Sequence, residues 1–111
     1  MQWEKPVPPE PKMVLTAYGI RINNPARQLL TDISGSGYKK KFLIGYDPST
    51  RTFGFKPSDN DDDGYAVFKS AYEYRAAGPA LLKRLGAVVQ QNEHMTDIHI
   101  KDGVLYVKRP T

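Results

Sequence analysis

The stretch GIRINNPARQLL, residues 19–30, carries a strand into a helix and sets the pattern for the rest of the chain. Residues 14–22 are rich in β-branched and aromatic side chains, which is typical of a β-strand. Gly19 lies inside this run and predicts a bend or a bulge. The sequence therefore predicts one strand that ends at Ile22 and leads directly into a helix.

The first helix is marked by the residues at its start. Asn24 can cap the helix, and Pro25 suits the first helical position because no N–H is needed there. A helix of about two turns is predicted over residues 26–33, with its leucine and isoleucine side chains buried. The glycines and serines of residues 34–37 then end the helix and form a flexible loop.

Two β-hairpins are predicted from turn residues that separate alternating apolar runs. The first turn opens with Asp47 and Pro48, and the second contains Asp102 and Gly103, which is among the strongest hairpin signals. The strands predicted beside these turns are residues 41–46, 52–56, 96–100 and 104–108. The side chains expected on the inner face of the first hairpin are Phe42, Ile44, Tyr46, Phe53 and Phe55.

A second strand and helix are predicted after the midpoint of the chain. Residues 65–69 alternate as a strand does. Gly78 and Pro79 open the helix, which is expected to end near Gly86 and to be followed by a polar loop at residues 90–95. The apolar stripe of this helix comprises Ala80, Leu81, Leu82, Leu85 and either Val88 or Val89.

The two halves of the chain carry the same landmarks at nearly the same spacing. From Pro25 to the turn residue Asp47 is 22 positions, and from Pro79 to Asp102 is 23. One β-α-β-β unit of this size is too small to bury its own apolar face, so two units must pack together. We therefore predict a β-rich α+β fold of two tandem β-α-β-β units that share one core.

The length of 111 residues fits a single domain. The organisation predicted is a proline-rich N-terminal arm at residues 1–12 and one domain over residues 13–111. That domain comprises two repeats, residues 13–58 and residues 65–110, joined by an acidic loop at residues 59–64.

Short motifs in both halves match a known pattern of strand, proline, short helix and closing hairpin. Residues 19–30 and 53–57 carry it in the first half, and residues 78–87 and 102–110 in the second. In this respect each half resembles the AbrB/MazE/MraZ-like swapped-hairpin family, and two copies in one chain are similar to the MraZ branch. The resemblance implies a swapped-hairpin-like barrel and a DNA-binding protein of transcription regulation.

The basic residues are the main candidates for function. The net charge of the whole chain is +4 at pH 7. Residues 13–58 alone carry +5, and the acidic residues 59–64 offset much of this with −4. A basic body is expected of a nucleic-acid binder. In a two-fold arrangement both strand–helix junctions would lie on one side and present arginine and lysine to phosphates. The candidate nucleic-acid-binding residues are Arg21, Arg27, Lys39, Lys40, Lys41, Lys83 and Arg84.

The leading hypothesis is a small cytoplasmic regulatory protein that contacts duplex DNA through basic residues at its strand–helix junctions. One alternative is a sheet that binds single-stranded nucleic acid by stacking bases on Tyr38, Tyr72 and Tyr74. Another is a protein-interaction module of a mobile element that binds no nucleic acid. The duplicated unit could be self-sufficient or could form a homodimer.

Other functional classes are disfavoured by what the sequence lacks. Without cysteine there is no disulfide and no thiolate metal site, which fits the cytoplasm. No apolar run reaches the ~18 residues of a membrane span, so no membrane partner is expected. The acidic loop matches only the first half of a calcium-binding loop, and His94 and His99 lack metal-ligand spacing. We therefore expect no enzymatic activity, no metal and no cofactor.

Overall fold

The architecture is known from a computed structural model, which describes residues 2–3, 10–34, 41–58, 64, 68–69 and 74–110. These described residues form a small, strand-rich α+β protein. The strands are β1 (Met13–Thr16), β2 (Gly19–Ile22), β3 (Phe42–Asp47), β4 (Thr52–Pro57), β5 (Phe68–Lys69), β6 (Tyr74–Ala76), β7 (Glu93–His94), β8 (Thr96–Lys101) and β9 (Val104–Lys108). The helices are α1 (Asn24–Ser34) and α2 (Pro79–Arg84). Within the described ranges neither helix has the length and apolar character that a membrane span requires.

The predicted single strand over residues 14–22 is wrong, because this segment is the hairpin of β1 and β2. Thr16 closes the turn: its Oγ1 accepts a hydrogen bond from the Tyr18 N–H at 3.1 Å and donates one to the Gly19 carbonyl oxygen at 2.9 Å. Gly19 has a φ of +140°, and a Cβ there would lie 2.9 Å from the carbonyl oxygen of Ala77. Gly19 is therefore a turn residue packed closely against the second half of the chain.

Helix α1 runs over Asn24–Ser34 and is capped one residue earlier than predicted. The side-chain Oδ1 of Asn23, and not that of Asn24, accepts a hydrogen bond from the N–H of Ala26 at 3.0 Å. The same oxygen accepts from the N–H of Lys12 at 2.9 Å. The strand–helix junction is therefore a hydrogen-bonded unit that includes the end of the N-terminal arm.

Helix α2 is shorter than predicted, since it spans only Pro79–Arg84. Gly86 follows with a φ of +77°, a conformation that commonly ends helices. Of the predicted apolar stripe, Leu81 and Leu82 are buried. Val88 lies beyond the helix and is 71% exposed, so it does not belong to the core.

The strands form two antiparallel sheets. The five-stranded sheet has the order β5-β6-β2-β1-β7, and the four-stranded sheet has the order β3-β4-β9-β8. Strand β7 pairs with β1 inside residues 90–95, where the sequence predicts only a loop. Among the described residues the strands do not close into a barrel, contrary to the barrel that the family resemblance implies.

The middle of each sheet joins the two halves of the chain in the same register. In the five-stranded sheet β2 pairs with β6, and in the four-stranded sheet β4 pairs with β9. The cross-strand partners Arg21 and Arg75 are 54 positions apart, as are the cross-strand partners Phe53 and Val107. The two prolines at the helix starts, Pro25 and Pro79, have the same spacing of 54 positions. Each central pair of strands is therefore arranged about a local two-fold axis, as a tandem duplication would arrange it.

Side chains from both sheets form one hydrophobic core. The inner-face prediction for the first hairpin is confirmed: Phe42, Ile44, Phe53 and Phe55 are buried, and Tyr46 is half-buried against them. The second half contributes Leu105 and Val107, and the β1–β2 hairpin contributes Met13, Leu15, Ile20 and Ile22. The inner faces of the two sheets are thus mainly apolar, although β8 at the edge of the four-stranded sheet is largely exposed.

An ion pair between Glu93 and Arg109 fastens the two sheets to each other. Glu93 lies on β7 of the five-stranded sheet, and Arg109 follows β9 of the four-stranded sheet and is only 8% exposed. The guanidinium donates to both carboxylate oxygens of Glu93, and also to the Tyr46 hydroxyl at 3.2 Å and the Val88 carbonyl oxygen at 2.8 Å. The hydrogen bond from Arg109 lowers the pKa of Glu93 below its ordinary value. We name this contact the clasp.

Candidate nucleic-acid interface

The outer face of the five-stranded sheet carries a row of basic side chains across its central strands. Arg21 on β2 is the cross-strand partner of Arg75 on β6, and Val14 on β1 is the partner of both Arg21 and His94. Cross-strand partners project from the same face, and the residues on either side of Arg21 are buried, so this row faces away from the core. Arg21 and Arg75 therefore lie side by side near the middle of the sheet, with Arg21 exposed and Arg75 half-buried.

The start of α1 lies at the end of β2 next to this row, beside Tyr74, which shares the inner face with Ile22. The guanidinium of Arg27 lies over the ring of Tyr74 at 4.5 Å from its centroid, and Tyr74 is the cross-strand partner of Ile22. A depression of about 330 Å³ beside it is lined by Lys12, Arg21 and Tyr74 among others. The cap of α1 holds the backbone of Lys12 at this position. We name Lys12, Arg21, Arg27, Tyr74 and Arg75 together the junction surface.

The chemistry of the junction surface suits anionic oxygens. A guanidinium presents several N–H donors in a planar fork that matches the geometry of a phosphate. The guanidinium of Arg27 is held in place by a cation–π contact with the ring of Tyr74. Arginine and lysine side chains of this kind position a protein on the phosphates of nucleic acid.

Two of the predicted site residues, Arg21 and Arg27, are brought together in the junction surface. Lys83 and Arg84 are exposed on α2. Because β2 and β6 are antiparallel, they enter α1 and α2 at opposite ends of the sheet. The expectation that the two strand–helix junctions present their basic side chains on one side of the molecule stays a prediction.

Of the remaining predicted site residues, only Lys41 belongs to the described part of the chain. Lys41 is half-buried just before β3, and its carbonyl oxygen accepts a hydrogen bond from the Ser58 N–H at 2.8 Å. Lys39 and Lys40 lie outside the described residues. The structure thus places Lys41 in a backbone contact between the ends of the first hairpin.

Arg75 belongs to the surface but was not predicted from the sequence. The signal that could have found it is the spacing of 54 positions, which carries Pro25 onto Pro79 and Arg21 onto Arg75. Tyr74, one of the three tyrosines considered for base stacking, instead packs partly against the core and supports Arg27. Tyr38 and Tyr72 lie outside the described residues.

The acidic loop and the histidines contribute no site among the described residues. Residues 59–63 lie outside them, whereas Gly64 has a φ of +120° and would place a Cβ 2.9 Å from the carbonyl oxygen of Phe42. His99 makes a hydrogen bond with the carbonyl oxygen of Asp97 at 2.9 Å. In the part of the chain that the structure describes, no group of three or more His, Asp or Glu side chains could hold a metal ion.

No family model matches this chain, and neither a curated protein nor a solved structure matches it. Membership of the swapped-hairpin family therefore stays a prediction based on short motifs, and function is argued from the surface itself.

Proposed function

We propose that this protein binds duplex DNA through the junction surface and acts as a small regulatory DNA-binding protein. The observation that carries the proposal is the pairing of Arg21 with Arg75 in the middle of the outer face of the five-stranded sheet. Arg27 and Lys12 extend this cationic area to the start of α1. Cationic groups spaced along one face can neutralise successive phosphates and release their counterions.

The symmetry of the strand pairing also supports duplex DNA as the ligand. Arg21 and Arg75 lie on either side of a local two-fold axis, because they are 54 positions apart and are cross-strand partners. The phosphate backbones of a DNA duplex are likewise related by two-fold axes, which is why dimeric regulators bind two half-sites. In our proposal one duplicated chain takes the place of such a dimer, in the manner of a tandem swapped-hairpin protein.

The proposal is tested by fluorescence anisotropy with a labelled duplex of mixed sequence at two salt concentrations. Binding should weaken steeply between about 50 mM and 200 mM salt. The Arg21→Ala and Arg27→Ala variants should bind more weakly, and each lost phosphate contact should reduce the salt slope by about 0.9. Lys101→Ala, at the turn end of β8, removes the same charge elsewhere and is the matched control.

Two results would contradict the proposal. Unchanged affinity in both arginine variants would remove the junction surface from consideration. Failure of the wild-type protein to bind the duplex even at the lower salt concentration would favour the protein-interaction alternative. Melting temperatures of all variants show whether each one remains folded.

A further inference from the structure

The outer face of the four-stranded sheet carries a groove with a different character. Along β3, β4 and β9 the side chains that alternate with the buried ones project outward. A depression of about 520 Å³ lies on this face. The outward residues that line it are Leu43, Gly45, Asp47, Thr52, Gly54, Lys56, Val104 and Tyr106. We name it the glycine groove.

Two neighbouring glycines form the floor of the groove. Gly45 on β3 and Gly54 on β4 are cross-strand partners, so both lack a side chain at the same level of the sheet. No described atom lies within 4 Å of the position that a Cβ of Gly45 would take. Neither glycine has a positive φ, so the backbone does not require glycine at these positions. The space above Gly45 is therefore open, whereas the side chains of Tyr106 and Val104 already lie 3.7 Å from the position of a Cβ at Gly54.

An aromatic ring forms one wall of the groove. Tyr106 on β9 is the cross-strand partner of both Gly54 and His99. Its ring stacks on the ring of His99, with centroids 5.5 Å apart and an angle of 26° between the planes. One edge of the Tyr106 ring lies over Gly54, where a Cβ would come 3.7 Å from its Cε1. Leu43, which is 46% exposed, lies on the far strand.

The charged side chains around the groove favour an anionic ligand. Lys56 and Lys108 project from β4 and β9 on this face, one on either side of the row that contains Gly54. The one carboxylate that lines the described part of the groove, Asp47, already accepts hydrogen bonds from the Ser49 N–H at 3.0 Å and the Ser49 hydroxyl at 2.7 Å. These hydrogen bonds hold Asp47 in its ionised form, so its negative charge stays at one end of the groove. With two lysines against one carboxylate, these three side chains still leave a net positive charge beside the open space at Gly45.

We propose that the glycine groove binds single-stranded nucleic acid. One base lies over Gly45 against the ring of Tyr106, while Lys56 and Lys108 contact the flanking phosphates. A slot with an aromatic wall and cations on both sides is the arrangement by which proteins hold unpaired bases without reading their sequence. A duplex cannot use this slot because its bases are stacked on each other. The site is independent of the junction surface and would exist whether or not that surface binds DNA.

The test measures the affinity of a labelled single-stranded oligonucleotide of mixed sequence by fluorescence anisotropy. Gly45→Val fills the slot with a side chain that suits a β-strand, and it should reduce affinity about ten-fold or more while leaving the melting temperature unchanged or raised. Tyr106→Ala should have a similar effect on affinity, whereas Tyr106→Phe keeps the ring and should bind as the wild type does. Lys56→Ala should lower the salt slope by about 0.7, the value for one phosphate of a single strand.

A cross-comparison separates this site from the junction surface. Arg21→Ala should weaken duplex binding and leave single-strand binding in place, and Gly45→Val should do the opposite. If folded Gly45→Val and Tyr106→Ala variants bind the single strand as tightly as the wild type, the proposal is overturned. It is also overturned if the wild type ignores the oligonucleotide and instead forms a dimer that Gly45→Val makes monomeric on size-exclusion chromatography.

Discussion

The outer faces of the two sheets differ far more than their inner faces. Inside, both sheets present the same alternation of buried aromatic and aliphatic side chains to one core. Outside, the five-stranded sheet carries paired arginines, and the four-stranded sheet carries glycines, a tyrosine and lysines. Folding constrains the inner faces because every apolar side chain there must find partners. The outer faces are free of that demand, so the two halves of a symmetric fold can carry two different surfaces.

The largest effect on this pair of surfaces is expected from breaking the clasp that holds the sheets together. Glu93→Gln should destabilise the protein by about 3 kcal/mol, because it leaves the charge of the buried Arg109 without its counter-ion. Urea denaturation measures the change in the free energy of unfolding.

The control for the clasp is Arg51→Ala, which removes a more exposed contact with the same carboxylate at 3.5 Å. Its cost should stay below about 1 kcal/mol. An equal loss of unfolding free energy in the two variants would show that burial of the Glu93 and Arg109 pair adds no stability beyond that of an exposed ion pair.

A smaller effect is expected from adding one methyl group to a glycine in each sheet. Gly19→Ala should cost about 2 kcal/mol, because the φ of +140° and the 2.9 Å approach to Ala77 both exclude a Cβ. Gly45→Ala meets no described atom within 4 Å and should be neutral or stabilising by about 0.5 kcal/mol. Thermal unfolding of the two variants measures the difference in their stability. The prediction is wrong if both variants lose the same amount of stability.

A third prediction concerns the cap that organises the junction surface. Asn23→Ala should destabilise the protein by about 1 kcal/mol, since it removes the acceptor for the N–H groups of Ala26 and Lys12. Asn24→Ala is the matched control and should have almost no effect. Chemical denaturation separates them, and the assignment of the cap is wrong if Asn24→Ala is the more harmful change.

The smallest effect is expected on mild acidification, which protonates only part of the Glu93 carboxylate because its pKa is lowered. The pKa of Glu93 in the folded protein lies below its ordinary value of 4.5, with the hydrogen bond from Arg109 as the main cause. The carboxylate therefore stabilises the fold above pH 4.5, and this contribution disappears as pH falls through the lowered pKa. Melting temperatures recorded from neutral pH downward should show a decline that is shallower in Glu93→Gln. An equally steep decline in that variant would assign the acid sensitivity to other carboxylates.

Those parts of the fold that depend on neighbouring residues could be predicted from the sequence. The hairpins around Asp47 and Asp102 are present, α2 begins at Pro79, and α1 begins at Asn24, one residue before Pro25. The β1–β2 hairpin could not be predicted in this way. Its turn has no typical pair of turn residues, and it depends on the Thr16 side chain and on the close contact of Gly19 with Ala77, 58 positions away.

The candidate site could be predicted only in part for the same reason. Arg21 and Arg27 flank one junction in the sequence, and they also lie together in the structure. The place of Arg75 depends on the pairing of β2 with β6, which no local pattern reveals. The glycine groove was not predicted either. It depends on the pairing of Gly45 with Gly54 across two strands, and each glycine alone looks like a residue that merely destabilises a strand.

The register that joins the two halves also decides how the chain folds. The β1–β2, β3–β4 and β8–β9 hairpins join residues close in sequence and can form within microseconds. The central pairs of both sheets, in contrast, bring together residues 54 positions apart, Arg21 with Arg75 and Phe53 with Val107. Closing such long loops costs chain entropy before any contact compensates it. We therefore expect the association of the two partly formed halves to limit the rate of folding.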